Sequence, residues 1–228
     1  SQPISIGEEV LQMTDDVIIR THCHICLGLL YKATGRKEQA LQHFAKAYEM
    51  ASASREKTSI GLMLLDSSIS AIKGKEQYSF YSSLYDEVFQ MLGANYSEPE
   101  LSEISLPFYD LKGRLEEAAG NYDEAILAYL EQNNQLVKMS YHSVSKRLYA
   151  YPLFRIAEIC YIKGDFKKAE EFFTQTVTTL SREWPHQKLQ PDSADSYTFY
   201  GEMSSYNTVM PNPFSTKVSS LVYLREIA

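Results

Sequence analysis

Three stretches of this chain repeat one pattern, and few folds accommodate it. Leu27-Gly28-x-x-Tyr31-x-x-x-Gly35 recurs as Gly113-x-x-Glu116-x-x-x-Gly120-x-Tyr122 and again as Ala157-x-x-Cys160-x-x-x-Gly164-x-Phe166. In each, an alanine follows the last glycine by five residues (Ala40, Ala125, Ala169), and an aromatic residue follows four later (Phe44, Tyr129, Phe173). A small residue, a glycine free to leave helical geometry, a second small residue and a ring describe two antiparallel helices in close contact. Recurrence of such a unit implies an all-α stack of helical hairpins, an α-solenoid, whose usual work is to bind another protein.

The periodicity supports each hairpin. In the first, Ile25, Leu29 and Leu30 recur at helical spacing beside Leu27, and Gly35 ends the helix. Ala40, Leu41, Phe44, Ala47, Tyr48 and Ala51 then form one apolar stripe. The second hairpin turns at Gly120, with Asn121 and Glu124 spaced as a capping box, and continues through Ala125, Ile126, Tyr129, Leu130, Leu136 and Val137. The third turns at Gly164, with Asp165 as cap, and runs on through Ala169, Phe172, Phe173, Val177 and Leu180.

These segments resemble tetratricopeptide repeats. In that family's frame of about 34 residues the hairpins span roughly 21–54, 106–139 and 150–183. The resemblance implies a right-handed superhelix of stacked hairpins. Some positions depart from the family pattern: Lys112 stands where leucine is usual, and Glu116 and Cys160 stand where tyrosine is usual. Turn glycines fall at 35, 74, 120 and 164, steps of 39, 46 and 44, so the helices are expected to be longer than the family's. Pro107 and Pro152 either kink a long first helix or begin the repeat proper. The expected organisation is a repeat array over 1–183, with hairpins at about 21–54, 56–92, 98–139 and 143–183. The hairpin at 56–92 lacks the diagnostic small-residue pair, and residues 5–19 are expected as the second helix of a preceding unit. An irregular segment with several prolines follows at 184–213, then a C-terminal helix at 214–228; the irregular segment either precedes a capping helix or lies in the concave face. A chain opening at Ser1 and closing inside an apolar run suggests a piece of a longer protein.

Composition narrows the function. A net charge of −7 argues against nucleic acid, which needs a basic face. No apolar run approaches the 18 or so residues of a membrane span, and three cysteines fit a reducing compartment, hence a cytoplasmic location. His22-Cys23-His24-Ile25-Cys26 is the most tempting chemical cluster, but no second Cys/His pair at ligand spacing completes a zinc site, and packing between helices is the expected role. Gly74-Lys75 lacks the rest of a phosphate loop, no nucleophile elbow occurs, and Glu116 and Glu117 diverge on a helix. No enzyme activity, cofactor or metal is expected. The 17 tyrosines, several clustered at 78, 81 and 85 and at 149, 151 and 161, serve either inter-repeat packing or recognition.

By the resemblance, positions two, five, nine and twelve of each repeat line a concave groove: His22, Ile25, Leu29 and Lys32; Pro107, Asp110, Arg114 and Glu117; Tyr151, Phe154, Glu158 and Tyr161. Ile25, Leu29 and Asp110 stand where carboxylate-clamp members carry cationic or amide side chains, so a clamp ligand is not expected. The expected partner is a protein or peptide segment, apolar or mixed, with Tyr151 and Phe154 as anchors. Two other readings remain: a sensory segment of a regulator responding to a peptide or small ligand, and self-assembly through uncapped ends.

Overall fold

The computed structural model describes residues 2–138, 146–181, 220 and 222–227. They are helical almost throughout, and no strand occurs among them. The helices are α1 (Gln2–Met13), α2 (Val17–Ala33), α3 (Lys37–Met50), α4 (Ser54–Ser68), α5 (Lys75–Asn95), α6 (Glu98–Ala119), α7 (Tyr122–Lys138), α8 (Lys146–Ile162) and α9 (Phe166–Ser181). A 3₁₀ turn, Ile69–Ala71, extends α4, and residues 222–227 are helical as well. Among the described residues α1 packs on α2, α2 on α3, α3 on α4, α4 on α5, α7 on α8 and α8 on α9, and α6 meets α7 at Gly113 and Tyr129, the stacked hairpins of an α-solenoid. The chain forms two compact units, Ser1–Leu101 and Ser102–Ala228.

The three turn glycines do the same job at the ends of α2, α6 and α8. Gly35, Gly120 and Gly164 have φ of 75°, 80° and 78°, a conformation that costs residues with a Cβ. Each glycine N–H reaches back three residues, and the next residue's N–H reaches back five. The latter bonds are Arg36 to Tyr31 O (2.8 Å), Asn121 to Glu116 O (2.9 Å) and Asp165 to Cys160 O (2.9 Å). This is the Schellman closure, built three times from one sequence signal.

Packing across each hairpin follows from what the small residues leave out. A Cβ on Gly28 would lie 2.6 Å from the Phe44 ring, and one on Gly113 would lie 2.5 Å from the Tyr129 ring. Ala157 and Phe173 are likewise fully buried in one cluster with Ala169 and Ile156. The α4–α5 hairpin, expected to lack such a pair, has one of its own. Gly61 sits against Val88, whose Cγ2 is 2.5 Å from where a Cβ would be. An aliphatic side chain replaces the ring there, and the glycine falls earlier in its helix, so the spacing signal misses it.

Other expectations change. The helix expected over 5–19 is two helices, because Asp16 caps α2 by accepting from the Ile18 and Ile19 amides at 2.9 and 3.0 Å. Arg20 Nη1 closes the end of α1 by donating to Leu11 O (2.8 Å) and Thr14 O (3.1 Å). Asn121 does not wait for a capping partner: its side-chain amide donates back to Glu116 Oε2 at 2.8 Å. Asp165 caps α9 by accepting from the Lys168 amide at 3.3 Å. α6 and α8 run unbroken through Pro107 and Pro152. The expected irregular segment at 184–213 lies outside the described residues.

Candidate functional site

In the second unit the groove positions on α6 and α8 meet in a polar cluster. Arg155 of α8 donates Nε to Glu117 Oε1 of α6 at 3.2 Å, and its Nη2 bonds Glu117 Oε2. Its Nη1 reaches Glu158 Oε2 at 2.6 Å. The Tyr129 hydroxyl of α7 donates to the same Glu117 at 2.7 Å. One guanidinium therefore bridges two carboxylates, in the fork geometry that arginine favours. One turn earlier on α6, Arg114 Nε donates to Asp110 Oδ2 at 2.8 Å. Asp110 is buried, and its Oδ1 has no hydrogen-bond partner.

Burial shapes the titration of this cluster. It pushes the Tyr129 and Tyr151 hydroxyls well above their usual range, with the Asp110 carboxylate adding to the effect on both. Burial also raises the Glu158 carboxyl, against the opposing pull of Arg155.

Tyr151 and Phe154, expected as ligand anchors, are core residues at 5% and 6% exposure. The Tyr151 ring stands edge-on to Tyr129, with centroids 6.4 Å apart, and Phe154 stands edge-on to Phe173 at 6.0 Å. Their rings fill space beside the small residues of the hairpins. Tyr161 is half-buried: it lies 5.0 Å from the Tyr223 ring, and its hydroxyl bonds Glu226 at 3.1 Å, which raises its pKa. Tyr223 also stacks on Phe173 at 4.7 Å, so the helix at 222–227 closes this end of the unit.

The sequence frame passes over Arg155, the residue that organises the cluster. Its signal was present: it follows Tyr151 by four and precedes Glu158 by three, the same helix face.

In the first unit Ile25 and Leu29 are half-buried on α2, and Lys32 Nζ bonds Asp66 Oδ2 of α4 at 2.5 Å. The His22–Cys26 cluster separates. His22 and Cys26 are exposed, Cys23 is half-buried, and His24 turns inward. His24 Nδ1 lies 2.9 Å from His43 Nδ1, so one ring donates and the other accepts, and Tyr31 stacks on His43 at 5.3 Å. Burial, with the nearby His43 and Lys46, lowers the His24 pKa to about 4. Among the described residues no three His, Cys, Asp or Glu side chains converge on a metal position. None of the described helices is long and apolar enough to cross a membrane.

Residues 24–54 match the family model described as tetratricopeptide repeat. Among solved structures the chain is similar to the crystal structure of BtubC (BKLC) from P. vanneervenii, with a TM-score of 0.55 and 12% identity over 99% of this chain and 87% of that one. At that identity the likeness is one of fold. No curated protein matches the chain. Tetratricopeptide repeats are in general non-catalytic scaffolds that offer extended surfaces to other proteins. Residues 24–54 thus carry a tetratricopeptide-repeat match, and the small-residue contacts and turn glycines of that segment recur beyond it.

Proposed function

We propose that this chain is a non-catalytic scaffold that binds a protein or peptide segment, and that the α6–α8 face of its second unit is where the segment lies. The observation that carries this reading is the Arg155 cluster. Side chains from two successive first helices present ionised groups that are only partly covered: Arg155 keeps 29% and Glu158 20% of side-chain exposure. Tyr161, two turns from Arg155, adds a ring and a hydroxyl. Ile25, Leu29 and Lys32 occupy the matching positions on α2 in the first unit.

The chemistry favours an apolar or mixed segment. Arg114 and Arg155 are engaged by Asp110, Glu117 and Glu158, so neither guanidinium is poised to grip a terminal carboxylate. The carboxylates outnumber the cations on this face, which disfavours nucleic acid and an anionic membrane surface. Tyr151 and Phe154 hold the face in shape from beneath.

A photo-crosslinking side chain placed at Tyr161 or Glu158 tests this, with one at exposed Thr174 of α9 as the control. The expected result is a discrete cross-linked partner from the α8 positions and none from Thr174. Equal cross-linking from both sides of the hairpin refutes the α6–α8 face as the site.

A further inference from the structure

The helix at 222–227 rests on residues that the α6–α8 face offers to a ligand. The Tyr161 hydroxyl donates to Glu226 Oε2 at 3.1 Å, and the Tyr161 ring lies 5.0 Å from that of Tyr223. Burial raises the Tyr223 hydroxyl pKa, and the Glu158 carboxylate, one turn before Tyr161 on α8, adds to the effect. Tyr223, Leu224 and Ile227 pack on the cluster that holds Phe154 and Phe173, while Arg225 and Glu226 stay exposed. One side of this helix therefore carries a ring, an aliphatic residue beside it, a carboxylate three positions on and a second aliphatic residue four positions on. That is the anchor spacing of an amphipathic helix lying in a groove.

Its hold is slight. Isolated helices shorter than about 12 residues are marginal in water, so the seat on α8 and α9 is what keeps residues 222–227 helical. The side chains that hold them there are only half-buried, whereas Phe154 and Phe173 beneath are buried. The Tyr161 hydroxyl has one proton to donate, and Glu226 takes it. A segment that takes the Tyr161 ring and hydroxyl has to remove Tyr223 and Glu226 first.

We propose that the helix at 222–227 is an internal stand-in for the bound segment: it occupies the α8 end of the α6–α8 face, and a partner binds by replacing it. This rests on the reading of that face as the binding site. The partner's chemistry follows from what it replaces. It is an amphipathic helix with a Tyr or Phe to stack on Phe173, Leu or Ile one and four positions later, and Glu or Asp at the third to accept from Tyr161. Such a segment is mixed, not purely apolar, and a single carboxylate is accommodated because Tyr161 supplies its donor. Belonging to the same chain, the helix competes without being diluted. A free segment with the same contacts binds weakly until the helix is loosened.

The probe is a fluorescent peptide of residues 214–228, titrated by anisotropy against three full chains: the parent, Glu226→Ala, and Tyr223→Ala with Glu226→Ala. The parent is expected to bind it about tenfold more weakly than the double variant, with the single variant between, because only a fraction of parent molecules have the seat open. A peptide carrying the same two substitutions is expected to bind none of them. Glu226 is exposed, so Glu226→Ala keeps the fold whatever the double variant does, and circular dichroism checks both. Equal binding to all three chains, or binding to none, overturns the proposal. So does a parent of doubled mass in light scattering that the peptide returns to single mass, because the helix then comes from a second copy. The face itself is read separately, with the cross-linker at Glu158. Equal cross-linking there in the parent and the double variant overturns the stand-in and leaves the face standing. Equal cross-linking from Glu158 and Thr174 refutes the face, and the proposal with it, even where the peptide still exchanges with the helix.

Discussion

Gly113→Ala and Gly93→Ala are the same substitution in two helices, and the packing of the hairpins requires them to have opposite signs. Alanine in a helix interior is favoured over glycine by about 0.5–1 kcal/mol. Gly93 is exposed on α5, and no atom lies within 4 Å of the place its Cβ would take, so Gly93→Ala is expected to raise stability by about that amount. At Gly113 the new methyl carbon meets three atoms of the Tyr129 ring at 2.5, 2.6 and 2.8 Å. Ordinary carbon contacts lie about 1 Å further apart. Tyr129 has no room to tilt: it is fully buried, and its hydroxyl is tied to Glu117, itself gripped by Arg155.

Either α6 and α7 separate, or the ring swings and its hydrogen bond breaks. Overpacking costs about 1–3 kcal/mol, and a hydrogen bond to a charged group contributes about 1.5–3 kcal/mol. After the helix-propensity gain, either cost leaves a net loss at Gly113 of about 0.5–2.5 kcal/mol. Gly28→Ala strikes Phe44 at 2.6 Å, but that ring has no hydroxyl to tether it, so its loss is expected to be smaller. Urea unfolding followed by circular dichroism gives the order, and hydrogen exchange of the α6 and α7 amides places the Gly113 effect. A Gly113→Ala protein as stable as the parent, or a Gly93→Ala protein equally damaged, refutes the close-approach account of these hairpins.

Acid is expected to loosen the first unit before the second. His24 has a pKa lowered from 6.5 to about 4 on folding, so the unfolded chain binds more protons. Its contribution is complete above pH 6.5 and is lost as pH falls toward 4, by at most about 3 kcal/mol, which exchange of the α2 and α3 amides across that range measures. Arg155→Met leaves Glu117 and Glu158 facing each other without their shared cation and is expected to cost about 3–5 kcal/mol in urea unfolding. Adding Glu117→Gln and Glu158→Gln to it recovers part of that loss. Lys112→Leu restores the family's usual residue yet is expected to destabilise by about 3 kcal/mol, because Glu116, paired with Lys112 at 2.8 Å, is buried; Lys112→Leu with Glu116→Tyr together brings thermal stability back toward the parent.

How much of this was legible depends on the range of each interaction. The hairpins that end in Gly35, Gly120 and Gly164 were plain, because turn chemistry and helical periodicity act within a dozen residues. The Gly61–Val88 contact was not, since its partners are 27 positions apart and neither matches the spacing of the other pairs. Lys112 and Glu116 read singly as departures from the repeat pattern, whereas in the structure each is the other's compensation. The groove positions came from a frame that says which way a residue points, not how far a neighbour reaches over it. So Tyr151 and Phe154 went inward while Arg155, outside the frame, took the centre. His24 could be found inside a Cys/His cluster, but its partner His43 lies on the next helix, and only folding brings the two rings together.

The ion pairs of the α6–α8 face also bear on what that face can recognise. Asp110, Arg114, Glu117, Arg155 and Glu158 are five charges whose hydrogen bonds run mostly to one another. A ligand charge placed among them gains a contact only by drawing a partner away, and in a half-buried setting the two changes nearly cancel. Charge there acts mainly against wrong partners: an acidic segment meets carboxylates in excess, and a nucleic acid meets cations already held by carboxylates. Attraction has to come from surface that the internal pairs do not occupy. On α8 that is the Tyr161 ring, whose hydroxyl bond to Glu226 lies at the exposed edge of the unit. Under the proposed reading, a face arranged in this way fixes its own shape first and leaves apolar contact to set the affinity, so a mixed or apolar segment would suit it better than a charged tail.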